Sequence, residues 1–206
     1  IDWKLWGKTD RFYIKQFEEE TNLSCHLILD KSLSMDYGSN KLTKFEYSKS
    51  ICAALSYLMI KQQDAVGLTT FDKKINTTIK PKSKISHLNL LLKTMHNSST
   101  GGETNISSLL HGLAESINKK GLIILISDLL DDEHKVMESL RHFRYKGHEI
   151  IVFHIVDPKE RDLDYNQNMN FIDLESNYNI IADSRLVKEN YNKAFQKFSD
   201  YYKNEC

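Results

Sequence analysis

The sequence predicts a three-layer α/β sandwich, with a mainly parallel central sheet and helices on both faces. Three observations carry this. Short apolar segments alternate with amphipathic segments of helical length, the pattern of βαβ units. Residues 121–128 read GLIILISD, apolar throughout, as a strand buried on both faces must be. Polar loops follow the apolar segments, at the strand ends where open parallel sheets hold their ligands.

The elements follow in order. Residues 23–30 (LSCHLILD) form a buried strand ending in an acid, followed by the polar loop KSLSMDYGSNK. From 43 to 62, Phe45, Ile51, Leu55, Leu58 and Met59 recur at helical spacing, and Thr43 with Glu46 makes a capping box. Residues 65–71 (AVGLTTF) are a strand, and 74–80 (KINTTIK) alternate as an edge strand after a tight turn at Asp72-Lys73. A helix over 84–96 presents Ile85, Leu88, Leu91, Leu92 and Met95 on one face. The loop NSSTGGETN leads to a helix over 105–119, and the strand 121–128 follows. Residues 131–146 are a helix closed by Gly147. Residues 148–156 (HEIIVFHIV) read as a further buried strand, and 170–182 as a hairpin joined through Ser176-Asn177. From 184 onward the pattern is an amphipathic helix, with Tyr191, Phe195, Phe198 and Tyr202 at core spacing.

Composition bounds the function. The 206 residues suffice for one α/β domain, 40% are hydrophobic and 27% charged. Lys+Arg and Asp+Glu balance at 28 each, which argues against a nucleic-acid surface. No apolar run reaches the roughly 18 residues of a membrane span. Cys25, Cys52 and Cys206 are odd in number and lack metal-ligand or redox spacing. They read as buried or incidental thiols of a reducing compartment, so a cytoplasmic location is expected. The chain opens at Ile1 and stops at Cys206 after a charged helical pattern, and both ends read as cuts in a longer protein. Residues 1–22 are expected to be the remnant of an N-terminal subdomain, and 23–206 the α/β domain, truncated at its C-terminal end. Trp3, Trp6, Phe12 and Tyr13 serve either that subdomain's core or a partner surface.

At the expected strand ends lie Asp30-Lys31-Ser32-Leu33-Ser34, then Gly101-Gly102-Glu103-Thr104, then Ser127-Asp128. Every potential ligand there is an oxygen. A hard divalent cation such as Mg²⁺ takes about six oxygens and keeps several waters. Asp30, Ser32 and Ser34, alternate residues of a turn, can point to one centre that Thr104 and Asp128 close. Two carboxylates roughly neutralise a dication and leave it affinity for one more anionic oxygen. No residue is placed as a general base, so binding is expected rather than catalysis.

The pattern Asp30-x-Ser32-x-Ser34, then Thr104, then Asp128 resembles the metal-ion-dependent adhesion site of von Willebrand factor A (vWA) domains. A closer likeness runs over essentially the whole chain. IDWKLWGKTDRFYIKQFEEETNL, the DxSxSM loop, YGS, KxxYxxS, DAVGLTTF, GGETN and LISDLLDD together resemble bacterial vWA-like proteins of unknown function encoded beside MoxR-type AAA+ ATPases. In that family a Gly-Asp-rich segment precedes the Ile1-Asp2-Trp3 motif and a further strand follows the last helix.

The resemblance implies a vWA-type, Rossmann-like sandwich that binds Mg²⁺ (or Mn²⁺ or Ca²⁺) and is not an enzyme. It implies Ser32, Ser34 and Thr104 as direct ligands, with Asp30 and Asp128 acting largely through water. A partner acid completes the shell, and the partner implied is a MoxR-type AAA+ ATPase or its client. Glu103 departs from the family, whose loop often has a small residue there; it either points away or reaches the metal. Two other expectations compete: a metal-dependent phosphoester hydrolase using Asp128 and Glu133, and a structural vWA domain with an empty site. Elsewhere, Asp131 and Asp132 read as helix-start residues, and Met35 and Tyr37 as either a contact patch or packing beneath the loop. His26, His148 and His154 read as structural histidines on strands.

Overall fold

Alternation within the first strand explains why the sheet is covered twice. In β1 (Ser24–Asp30), Cys25, Leu27 and Leu29 face one hydrophobic cluster and Ile28 faces another. The computed structural model describes residues 23–102, 106–165, 167–175 and 178–206. The expectations for residues 1–22, for Glu103 and Thr104, and for the Ser176-Asn177 turn lie outside them.

The central sheet is built from β1, β2 (Ala65–Phe71), β3 (Ile75–Lys82), β4 (Leu122–Ser127) and β5 (Glu149–His154), in the order β3-β2-β1-β4-β5. Within this sheet β2 and β3 pair antiparallel and the other neighbours pair parallel. On one face lie α1 (Lys44–Lys61) and α2 (Ile85–His96), contributing Phe45, Cys52, Met59, Leu88 and Leu91 to the core. On the other lie α3 (Ile106–Ser116), α4 (Glu133–Tyr145) and α6 (Ser184–Glu205), contributing Leu110, Leu113, Leu140, Phe143 and Tyr202. This is the expected three-layer, mainly parallel arrangement. A short helix, α5 (Pro158–Asp162), and a separate hairpin of β6 (Asn168–Ile172) and β7 (Asn179–Asp183) lie between β5 and α6.

Local chemistry sets the boundaries. Thr43 and Glu46 form the expected capping box at α1. Gly147 has φ +86, and its N–H donates to the Arg144 carbonyl at 2.9 Å, ending α4 as expected. Several expectations change: Ile85 and Leu92 of α2 and Leu58 of α1, expected on the apolar faces, are exposed. Helix α4 begins at Glu133 rather than at 131, because Asp132 is the N-cap and accepts from the His134 and Lys135 amides. Strand β5 is the sheet edge rather than a buried strand, and Ile151 is 45% exposed. The edge strand β3 carries Pro81, where a missing N–H costs no ladder bond inside the sheet.

Candidate functional site

Asp30 ends β1, and Asp128 follows Ser127 at the end of β4. These two strands are parallel neighbours. The chain leaves β1 toward β2 on one side and enters β4 from β3 across the sheet, so the strand order reverses between them. Loops part at such a reversal and leave a crevice at the carboxyl ends. The fold therefore brings Asp30, Ser32, Ser34 and Asp128 to the place where open α/β sheets hold ligands. Thr104, the fifth expected ligand, falls outside the described residues.

Both acids are buried and held by the protein. One Asp30 carboxylate oxygen accepts the Ser32 amide at 2.9 Å, and the other accepts the Ser127 hydroxyl at 2.6 Å. Burial, and then the nearby Asp128 charge, push the Asp30 carboxyl up to about 7 against these hydrogen bonds. The Ser32 and Ser34 hydroxyls lie 3.0 Å apart. Ser32 is fully buried and Ser34 partly exposed. Two ligands about 2.1 Å from a Mg²⁺ ion and at right angles stand about 3.0 Å apart. The oxygen donors and the hydroxyl spacing thus fit a small hard cation.

The loop is fixed from several sides. The Leu33 amide donates to the Gly102 carbonyl at 3.1 Å and the Gly101 amide to the Lys31 carbonyl at 2.9 Å, tying the first loop to the glycine loop. Met35 is fully buried, so it packs beneath the loop rather than forming a contact patch. Tyr37 shares a 2.8 Å hydrogen bond with the Tyr165 hydroxyl. Leu129, next to Asp128, has φ +59, and its amide donates to the Ser127 hydroxyl oxygen at 3.0 Å. A left-handed, fully buried leucine is strained, and it fixes the direction in which Asp128 leaves the strand.

Sequence reasoning missed a cation already in the site. The Lys44 ammonium, 4% exposed as a residue, lies 2.9 Å from Asp128 and 2.7 Å from Glu160. Burial opposes its charge, but the two carboxylates outweigh burial and hold its pKa above the usual lysine value. Glu160 is the last member of an α5 capping box, and its second oxygen accepts the Asp157 amide. One signal was available: Lys44 opens α1, where the positive end of the helix dipole disfavours a cation. Asp131 accepts the Ser107 amide at 3.0 Å, and with Asp132 as N-cap both acids have structural roles. A groove of about 370 Å³ begins at Ser34 and Glu160 and runs past Leu130, Tyr165 and Phe171.

Residues 1–200 match the family described as "Protein of unknown function DUF58". The chain belongs to the DUF58 family. This DUF58 chain is 22% identical over 166 residues to uncharacterized proteins of Mycobacterium bovis and Mycobacterium tuberculosis, covering 79% of itself and 52% of each relative. It therefore spans about half the length of the curated relatives it matches. Its fold is similar to that of an aerotolerance-related membrane protein from Bacteroides fragilis (TM-score 0.58, 16% identity, 88% of this chain and 99% of that one). It is also similar to the conserved hypothetical protein BatB from Bacteroides thetaiotaomicron (TM-score 0.54, 16% identity, 89% and 98%). At such identity the likeness is one of fold. Among the described residues of the DUF58 chain, no helix is long and apolar enough to cross a membrane.

Proposed function

We propose that the DUF58 chain is a metal-dependent protein-binding domain of the vWA type and not an enzyme. In this reading Asp30, Ser32, Ser34, Thr104 and Asp128 hold Mg²⁺ (or Mn²⁺ or Ca²⁺). The observation that carries it is the convergence of two buried carboxylates and a facing hydroxyl pair at the strand-order reversal. When bound, the ion supplies an open coordination position for a carboxylate of the partner. The chain's own residues do the rest. Ser127 and the Ser32 amide orient Asp30, and Lys44 orients Asp128. Leu130, 52% exposed beside the site, and the groove beyond it offer apolar contact to residues flanking the partner's acid. Sequence resemblance makes a MoxR-type AAA+ ATPase or its client the candidate partner.

A second reading rests on Lys44. Its ammonium is a built-in cation on Asp128, which favours a structural vWA domain that takes no ion. Thermal melting separates the two. The protein is melted in EDTA and then in rising Mg²⁺ or Mn²⁺, as wild type and as Asp30→Ala. Ligand at about 100 times its dissociation constant adds about 2.7 kcal/mol. For this size that is about 5–10 °C. A saturable rise absent from Asp30→Ala supports the binding reading, and no rise in wild type supports the built-in cation.

A further inference from the structure

We propose a second, chemically distinct metal site, for Zn²⁺ or a similar transition ion, on the outer face of the α3–α4 helix pair. Its ligands are His111 and Glu115 of α3 and His142 of α4. One ligand atom from each of the three lies within 4.8 Å of the others.

The spacing on α3 is i, i+4, which stacks His111 and Glu115 on one helix face. His142 is brought opposite them by the packing of α4. The His111 and His142 Nδ1 atoms face each other at 3.3 Å. Two nitrogens bound to Zn²⁺ at about 2.05 Å in tetrahedral geometry are about 3.35 Å apart. The imidazoles already stand at the separation the ion needs. Glu115 places a carboxylate oxygen 3.1 Å from His142 Nε2, the ring nitrogen that does not face His111, and its side chain, 62% exposed, joins the ion by turning from there toward the two Nδ1 atoms.

The frame beneath is rigid. Leu110, Leu113 and Ala114 of α3 pack in one buried cluster with Val136, Leu140 and Phe143 of α4. The Ser139 hydroxyl donates to the Ser107 carbonyl at 2.9 Å, and Lys146 Nζ donates to the Ala114 carbonyl at 2.8 Å. Preordered helices hold the two imidazoles at this separation, so binding has to order chiefly the Glu115 side chain. Lys146 Nζ lies 3.6 Å from Glu115 and is the nearby positive charge that a dication must tolerate. Two imidazoles and one carboxylate suit Zn²⁺ and its neighbours rather than Mg²⁺. Three protein ligands leave a fourth position open to solvent. An ion here staples α3 to α4, the two helices that begin beside the candidate oxygen site.

The test uses Zn²⁺ calorimetry and the visible absorption of Co²⁺ on the untagged chain carrying Cys206→Ser, which removes the exposed thiol, and Asp30→Ala, which disables the oxygen site. One equivalent of Zn²⁺ and a tetrahedral Co²⁺ spectrum are expected. In that background His111→Ala and His142→Ala each weaken binding by at least about tenfold. Glu115→Gln, nearly the same shape, weakens it as well, with unchanged far-UV circular dichroism. Absence of stoichiometric Zn²⁺ binding overturns the site, as does binding unchanged in both histidine variants. Retention of Zn²⁺ binding in Asp30→Ala keeps this result independent of the oxygen site.

Discussion

Replacing Lys44 by Met keeps the length of the side-chain stem and removes only the charged head. The Lys44 and Asp128 side chains are 2% and 3% exposed, whereas Glu160 keeps 27%. Glu160 can turn to water, but Asp128 cannot. Removing one partner of a buried pair costs about 3–5 kcal/mol, chiefly by leaving the other charge unpaired. At about 2–4 °C per kcal/mol for a domain of this size, melting in EDTA should fall by about 6–20 °C. The Asp30, Asp128 and Glu160 carboxylates then lose the ammonium that offsets one of their charges, so Mg²⁺ should raise the melting temperature of Lys44→Met more than that of wild type. Differential scanning calorimetry with and without the ion reads both quantities. A fall of less than about 2 °C in EDTA would show that Asp128 does not depend on the Lys44 ammonium. A smaller Mg²⁺ response than wild type refutes competition between the ammonium and the ion.

Two further predictions follow from charge and burial. Asp30 titrates near 7 folded and near 3.8 otherwise, so between these values the folded state binds more protons than the unfolded state. Metal-free stability should therefore fall as pH rises from about 4 to about 7 and level off above. Asp30→Asn should flatten that slope and raise stability at pH 8; urea melts in EDTA that keep the wild-type slope would sink the assignment. Burial pushes the Cys25 thiol up to about 12 and the Cys52 thiol higher still, while Cys206 is exposed. One thiol should react with a disulfide reagent in the native protein and three in urea, and a native Cys206→Ser variant that still reacts quickly would contradict the buried assignments.

Much of the frame was legible because it is written locally. The continuous apolar run of β4 marks a strand covered on both faces, and Thr43 with Glu46 marks the start of α1. Asp30, Ser32, Ser34 and Asp128 could be drawn together because parallel strands place their carboxyl ends side by side. What was not legible depends on neighbours. An apolar run such as EIIVFH reads the same in the middle of a sheet and at its edge, so the exposure of β5 could not be inferred. Lys44 and Glu160 are separated by 116 residues, and although a lysine at a helix start is unfavourable, nothing local names the carboxylates that hold it. His111 and His142 face each other only because α3 packs on α4. Met35 could be read as exposed or buried, and the 3-10 turn Leu33–Asp36 decides it by folding the loop inward.

The hydrogen bonds also bear on how the proposed metal site would divide its work. Each Asp30 oxygen already accepts a protein donor, and one Asp128 oxygen accepts Lys44. Such carboxylates supply field more readily than direct ligation, because leaving these donors would orphan the buried Ser127 hydroxyl and the Ser32 amide and leave the Lys44 ammonium to Glu160 alone. The Ser32 and Ser34 hydroxyls are bonded to each other, and a cation between them would replace one weak hydrogen bond. Asp30, Asp128 and Glu160 against Lys44 leave two negative charges at the crevice when all are ionised. A dication matches that charge, and the neutral hydroxyls add none. This balance supports hydroxyls in contact with an ion and acids behind them, the division that leaves affinity for one further carboxylate from outside.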